Sequence, residues 1–399
     1  MKQLKFFSLL VGASFFLFSC GGSSSNVAGE DPTPDSDSTT NDEPATEVVS
    51  FAKGADISWV TEYEKAGHKF YNADGREREC TALMKELGLN AIRLRVWVDP
   101  SGHGDWCNKE DLVLKAKRAH ALGMDVMVDF HYSDWWADPG QQHKPAAWKG
   151  LGLSDLKKAL ADHTKDVLDA LKTAGVTPKW VQVGNEIRPG MLWDEDVALS
   201  GASWDIKENE VKESDTSSTA VKYPMNWANL GAFVTTGYNA VKAVFPEAIV
   251  IVHLDNGYDK GLYTWFFDEL KKNGGKWDMI GMSIYPYWTK LSNLEYTDEK
   301  TITDCISNIN AVANKYNCDV MIVETGMQCA DGVSGKLASS AILEQGKANL
   351  SRLIKEAKDN TNGRCKGVFY WEPECMPSKY ALGAFTEDGK PTVIMDAFK

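Results

Sequence analysis

The chain has 399 residues, a formal net charge of −13, 14 Trp and 8 Cys. Setting aside Lys2, Lys5 and the seven acids of residues 21–50 leaves −8 on the body from residue 51. This acidic balance argues against nucleic acid or an anionic membrane as the target, and it is indifferent to neutral sugars. No two cysteines stand in a CxxC spacing that would suggest zinc, and the seven beyond Cys20 are an odd number, so no disulfide pairing can be assigned.

Residues 1–20 carry Lys2 and Lys5, an apolar run over 6–18, then Ser19-Cys20. That core is too short for a permanent membrane span and reads as a signal peptide. Its end, Leu17-Phe18-Ser19-Cys20, resembles a bacterial lipoprotein signal, so the mature protein is expected to be lipid-anchored at Cys20. The expected site is the outer membrane at the cell surface, with the periplasmic face as the alternative. Residues 21–50 are Gly, Ser, Thr, Asp, Glu and Pro without a Lys or Arg, a disordered acidic linker by composition. The body of about 350 residues exceeds the usual ~250 of a simple eight-stranded barrel, which leaves room for long loops and needs no second domain. A monomer is the expected form.

From residue 51 onward, short apolar runs alternate with helical stretches. Strands are predicted over 54–60, 90–98, 125–131, 180–186, 249–255, 279–285, 319–324 and 367–371. Helices are predicted over 76–87, 109–122, 154–174, 227–244, 262–273, 302–316 and 340–357, four of them ended by Gly88, Gly123, Gly175 or Gly274. Eight strands and seven helices, with the tail 380–399 available for an eighth, predict a single (β/α)8 TIM barrel over 51–399. A doubly wound open sheet is the alternative, but no Gly-rich phosphate turn follows the first strand.

In such a barrel the chemistry sits where strands run into their following loops. Polar residues gather at those tips: Asp56, Ser58, Arg93, Arg95, Asp129, His131, Asn185, Glu186, His253, Asp255, Ser283, Tyr285, Glu324 and Glu372. The fourth strand, WVQVGNEIRPG, ends in an amide and a carboxylate, Asn185 and Glu186. The seventh, DVMIVETG, carries Glu324 after four apolar residues, where an unpartnered carboxylate would be costly. Period-2 alternation on strand two sets Arg93, Arg95 and Trp97 on one face, and an interior accepts two guanidiniums only if carboxylates meet them. Two carboxylates from strands four and seven can flank a glycosidic bond, one as nucleophile and the other as acid/base. Glu324, near Arg93, is expected to have its pKa lowered and stay ionised as the nucleophile, with Tyr285 bonded to it. Glu186, beside neutral Asn185, is expected to keep a proton as the acid. Tryptophans in loops after strands, namely Trp97, Trp135, Trp136, Trp148, Trp193, Trp288 and Trp371, offer flat faces for sugar rings, with Trp371 the expected floor.

The segments GADISWV, RLRVWVDP, DFHYSDWWADPGQQHKPAAW, VGNEIRPGMLW, HLDNG, SIYPYW and VETG together resemble glycoside hydrolase family 53, the endo-β-1,4-galactanases of clan A. The resemblance covers residue 51 to about 399. It implies a retaining mechanism on the β-1,4-galactan of type I arabinogalactan and pectin. It places Glu186 as acid/base, Glu324 as nucleophile, and Asn185, Arg93, His131, Tyr285 and Trp371 as active-site partners; Arg95, Trp97, Trp136 and Asp255 join them as expected substrate-binding residues. Where many members read HYSDTWADP, this chain has Trp135 and Trp136 in succession. Some bacterial members hold calcium in a long loop after strand seven. Here 326–340 is short and Asp331 its only acid, so no metal and no cofactor is expected. The rival readings are another clan A endo-glycanase such as a β-mannanase, a non-catalytic glycan-binding barrel, and a metal-dependent barrel hydrolase, for which paired His ligands are lacking.

Overall fold

A computed structural model describes residues 51–193 and 227–399. The leader, the acidic linker and nearly all of the excursion over 191–224 lie outside the described residues. Eight strands close into a parallel barrel: β1 (Ala52–Asp56), β2 (Ala91–Val96), β3 (Asp125–Phe130), β4 (Trp180–Val183), β5 (Ile249–Leu254), β6 (Met279–Ile284), β7 (Asp319–Thr325) and β8 (Cys365–Trp371). Each pairs with its sequence neighbours, and β8 closes on β1 with Asp56 opposite Trp371.

The helices follow the strands. They are α1 (Val60–Lys65), α2 (Cys80–Glu86), α3 (Lys109–Ala121), α4 (Leu153–Thr173), α5 (Trp227–Val244), α6 (Lys260–Lys272), α7 (Pro286–Ser292), α8 (Asp298–Tyr316) and α9 (Ser340–Asp359). Gly88, Gly123, Gly175 and Gly274 all have positive φ just past a helix, the backbone state a Cβ disfavours. The predicted helix over 76–87 begins only at Cys80, because the Glu79 carboxylate caps it at the Ala82 N–H while Glu77–Arg78 pair with Phe70–Tyr71 as a small hairpin. Helix α8 starts four residues before the predicted 302, where the Thr297 hydroxyl caps the Lys300 N–H. The tail ends in a 3-10 turn, Val393–Phe398, packed on α9.

Side chains fill the barrel in tiers, because alternate residues of each strand point inward. Toward the strand starts the interior is apolar: Ala52, Ala91, Met127, Trp180, Ile251, Met279, Met321, Val323 and Phe369 form a cluster separate from the helix–sheet core. Trp180 meets Phe369 edge-on across the lumen, with centroids 6.0 Å apart. One tier up the same strand faces carry Arg93, Asp129, Gln182, His253, Ser283 and Glu324, all buried. The outward residues of β2, Ile92, Leu94 and Val96, pack under the helices instead.

The apolar tier has no slack at Gly54, where an added Cβ would lie 2.2 Å from the Phe369 ring. Gly54→Ala is therefore expected to destabilise the fold by roughly 1–3 kcal/mol through overpacking, whereas Gly102→Ala, exposed and with open space around it, should leave the urea midpoint nearly unchanged.

Candidate active site

The polar tier is built around Arg93, a fully buried guanidinium. Its Nη1 donates to Asp56 Oδ2 at 2.8 Å. Its Nη2 reaches Asp129 Oδ2, Asn185 Oδ1 and Glu324 Oε1, each at 2.9 Å. These partners come from β1, β3, the β4 tip and β7, so one side chain ties four parts of the barrel together. A buried charge is tolerated when it is paired and hydrogen-bonded, as here. Burial alone would raise Asp129, but Arg93 and His131 outweigh it and hold that carboxyl below the usual range. Asn185 is fixed at both ends: Oδ1 also lies 3.1 Å from Gln182 Nε2, and Nδ2 donates to the Ala137 carbonyl at 2.8 Å.

Glu186 and Glu324 face each other across this tier. Strand β4 stops at Val183, short of the predicted 186, because Gly184 has φ +83° and Glu186 φ +47°. A non-glycine residue in that region is uncommon, and here the turn aims Glu186 back over the barrel mouth. Ser283 Oγ lies 2.6 Å from Glu186 Oε1. Glu324 Oε2 accepts from Tyr285 Oη at 2.9 Å and lies 3.3 Å from Ser283 Oγ. Burial, then the neighbouring Glu324 and Asp255, raise Glu186 well above the usual range. Burial also pushes Glu324 up to about 7 against the opposing pull of Arg93. The expectation that Arg93 would lower Glu324 is therefore corrected: the guanidinium is shared with Asp56 and Asp129, and burial outweighs its remaining pull. The order of the pair still holds on donor count. Glu324 receives Arg93 and Tyr285, whereas the Ser283 hydroxyl is all that lies within reach of Glu186 among the described side chains, so the proton resides on Glu186.

The remaining candidates occupy distinct places. His131 is buried and spoken for, its Nδ1 accepting from Trp97 Nε1 at 3.2 Å and from the Ala137 N–H at 3.0 Å while Nε2 faces Asp129 Oδ2 at 3.0 Å. Asp255 is clasped by Arg188, Nε to Oδ1 at 2.9 Å and Nη2 to Oδ2 at 3.1 Å. Arg95 lies beneath the aromatic mouth, its guanidinium carbon 4.3, 5.2 and 5.3 Å from the ring centres of Trp136, Trp97 and Trp59. It is paired with Glu372. Its Nε and Nη2 have no hydrogen-bond partner among the described residues, and the indole faces take that place. Trp97, expected at a sugar subsite, is 1% exposed, with its N–H used by His131 and the tilted Trp135 ring 4.4 Å away. Trp148 and Trp193 are likewise buried in long loops, while Trp288 is exposed. The half-buried aromatics at the mouth are Trp59, Trp136 and Trp371, mutually 5.4–5.9 Å apart, with Tyr380 4.8 Å from Trp371.

Sequence reasoning did not single out Trp59, Gln182, His253 or Ser283 as site residues. The signal available was position: each sits at or just past a strand tip, and Ser283 and His253 share the inward face of neighbouring strands. Glu186, His253 and Glu324 each bring one donor atom within 4.8 Å of the others, a spacing that can hold a metal ion. Ser283 Oγ fills that space, 2.6 Å from Glu186, 2.7 Å from His253 Nε2 and 3.3 Å from Glu324, and makes it a hydrogen-bonded cluster. The loop after β7 does not fit calcium either. Asp331 accepts the N–H groups of Val333, Ser334 and Gly335 and the Ser334 hydroxyl, so both its oxygens serve its own turn.

An eight-stranded α/β barrel with two unlike carboxylates at the fourth and seventh strand tips and an aromatic mouth is the architecture of a glycoside hydrolase. The match to known proteins narrows this class. The chain belongs to glycosyl hydrolase family 53, whose model matches residues 52–392. It is similar to an endo-β-1,4-galactanase of Bacillus subtilis, 31% identical over 364 residues covering 87% of this chain and 75% of that protein. It is also similar to an arabinogalactan endo-β-1,4-galactanase of Thermothelomyces thermophilus, 30% identical over 80% of this chain and 89% of that one. Among solved structures it resembles a fungal β-1,4-galactanase at a TM-score of 0.70 and 27% identity, covering 86% of this chain and 98% of that chain.

Behind Arg95 lies a second carboxylate pair. Glu374 is 1% exposed, and neither of its oxygens meets an N–H or O–H of another described residue. Burial and the adjacent Glu372 push its carboxyl well up, so it stays protonated and donates to Glu372. The unfolded chain loses that proton near pH ~4.3, so this group's own contribution to stability is complete below that value and falls as pH rises toward the folded pKa. Glu374→Gln keeps an N–H donor for Glu372 and removes the titration. Its urea midpoint should fall less between pH 5 and pH 8 than that of the unsubstituted protein, a relative gain of about 1.4 kcal/mol per pH unit while the pair still holds its proton.

Proposed function

We propose that the protein hydrolyses internal β-1,4-galactosidic bonds of galactan, the side chain of type I arabinogalactan and pectin, with retention of configuration. Glu324 is the nucleophile and Glu186 the acid/base. The observation that carries the mechanism is the closeness of the two carboxylates, which bring oxygens within 4.8 Å of each other. This suits the ~5–5.5 Å of retaining enzymes and leaves no room for the water an inverting enzyme holds across ~6.5–9.5 Å. The substrate class rests on the galactanase relatives and on the loop segments shared with them.

In the first half-reaction, Glu324 attacks the anomeric carbon as Glu186 gives its proton to the departing oxygen. In the second, Glu186, now a carboxylate, takes a proton from water, which releases the sugar from Glu324. Asn185, oriented by Arg93 and Ala137, is placed to hold the hydroxyl beside the reacting carbon. Trp371, backed by Trp59, Trp136 and Tyr380, gives that sugar its floor. The leader reading adds a place of work: anchored at Cys20 on the outer membrane and spaced by the acidic linker, such an enzyme meets a polymer too large to enter the cell.

Chromatography of products from linear β-1,4-galactan and from β-mannan tests the assignment. Mixed short galacto-oligosaccharides from galactan alone are expected. Glu324→Gln should abolish them, and Glu186→Gln should slow release by about 10²–10⁴-fold. Cleavage of mannan alone would favour the β-mannanase reading, and retention of galactan without cleavage would favour a binding barrel. The pH profile is a separate check. Because Glu324 must be ionised and its pKa is raised to about 7, kcat/KM should fall on the acid side of roughly pH 7 rather than near the ordinary Glu value of ~4.3.

A further inference from the structure

We propose that Ser283 is a positioning residue whose single hydroxyl proton turns from Glu324 to Glu186 as the reaction passes from free enzyme to glycosyl-enzyme, so that it always serves the charged carboxylate. The inference rests on the roles proposed above for Glu186 and Glu324 and adds how one donor serves both.

Its basis is a hydrogen-bond account of one buried atom. Ser283 is 1% exposed, and its Oγ has three polar neighbours: Glu186 Oε1 at 2.6 Å, His253 Nε2 at 2.7 Å and Glu324 Oε2 at 3.3 Å. The strand register sets this up. The β6–β7 ladder slips between Met282 and Ser283, which brings Ser283 directly opposite Glu324. On the other side, His253 is buried and kept neutral by its burial and by Arg93, so it carries one ring proton. Its Nδ1 faces two donors, Gln182 Nε2 at 3.0 Å and the Glu186 N–H at 3.4 Å, and is therefore the acceptor nitrogen. Asn185 Oδ1, also 3.0 Å from Nδ1, is already supplied by Arg93, and Gln182 Nε2, with one proton on Asp129 Oδ1, has its second for Nδ1. The proton then sits on Nε2 and points at Ser283 Oγ. His253 fills one acceptor site of Oγ and the O–H of protonated Glu186, 2.6 Å away, fills the other, which leaves the hydroxyl's own proton for Glu324; once Glu186 is a carboxylate, that proton is free to turn to it.

The reaction alternates which carboxylate is charged. Before attack Glu324 is ionised and Glu186 protonated. In the intermediate Glu324 is an uncharged ester, and Glu186, having given its proton to the leaving oxygen, is the carboxylate. A turn about the Ser283 Cβ–Oγ bond moves the donor from one to the other without transferring any proton, and hydrolysis of the ester restores the start. Glu324 keeps Arg93 and Tyr285 as donors throughout. Glu186 has no other side-chain donor among the described residues, so the second half-reaction depends on Ser283 more than the first. Arg93, Asp56, Asp129, Asp138, Asp255 and Tyr285 are the other charged and titratable groups acting on the two glutamates, and all remain when the hydroxyl is removed.

The test compares Ser283→Ala and Ser283→Thr with the unsubstituted full chain on a dinitrophenyl β-1,4-galactobioside, whose good leaving group makes the second half-reaction limiting. A hydrogen bond to a charged group is worth roughly 1.5–3 kcal/mol, so the acid limb of kcat should move up by about one pH unit or more in Ser283→Ala. The limb of kcat/KM should move less, and Ser283→Thr, which keeps a hydroxyl, should return both toward the original profile. Equal loss of rate at every pH, with neither limb displaced in a variant that melts like the unsubstituted protein, would overturn the inference and leave the roles of the two glutamates standing. Absence of turnover by the unsubstituted protein on both this substrate and galactan would overturn the functional reading and this inference with it.

Discussion

The structure depends on a guanidinium placed where no water can reach it. Arg93 stands inside the barrel one tier above an apolar plug, and three carboxylates, Asp56, Asp129 and Glu324, converge on it from three strands. Removing Arg93 would leave these buried carboxylates without their shared cation in a poorly screened interior, a change that costs on the order of 3–5 kcal/mol in buried ion pairs. The same contacts that hold the strands in register also fix the lateral position of Glu324 and Asn185. Stability and site geometry are therefore one arrangement, not two.

A second consequence concerns protons. The polar tier holds more acids than it has cations to pair with them, and the surplus is met by keeping Glu186 and Glu374 protonated, each beside a carboxylate that has an arginine. The two pairs differ in what lies above them. Glu186 and Glu324 face the mouth, where a substrate can take the shared proton. Glu372 and Glu374 are buried beside and behind Arg95, away from that mouth, and hold theirs for the fold. Under the proposed mechanism, buried carboxyl pairs of the same chemistry would serve turnover in one place and support in the other, because one faces the mouth and one does not.

Much of this was legible in the sequence, and the limits were physical. The alternation of apolar runs and Gly-ended helices gave the barrel, and the clustering of polar residues at strand tips gave its chemical end. Glu186, Glu324, Asn185 and Arg93 could be brought together because each ends a strand or faces inward by period-2 alternation. What failed needed knowledge across strands. The β6–β7 register slip that sets Ser283 against Glu324 leaves no mark in a single segment. Trp97 and Trp136 look alike as loop-side tryptophans, yet one is sealed under Trp135 and the other stands at the mouth. The sign of the Glu324 shift was misjudged because the sequence displays Arg93 but not the two other carboxylates that share it, nor how deeply the group is buried.

The central claim is that Glu324 forms the covalent bond while Glu186 moves the proton. It is tested most directly by trapping the protein with a 2-deoxy-2-fluoro-β-galactobioside bearing an activated leaving group, then locating the label by mass spectrometry of peptides. The account predicts one added fluoroglycosyl group per chain, in the peptide that contains Glu324, and none in Glu324→Gln. A label on Glu186, or full turnover of the reagent with inversion of configuration and no labelled peptide at any time, would contradict it.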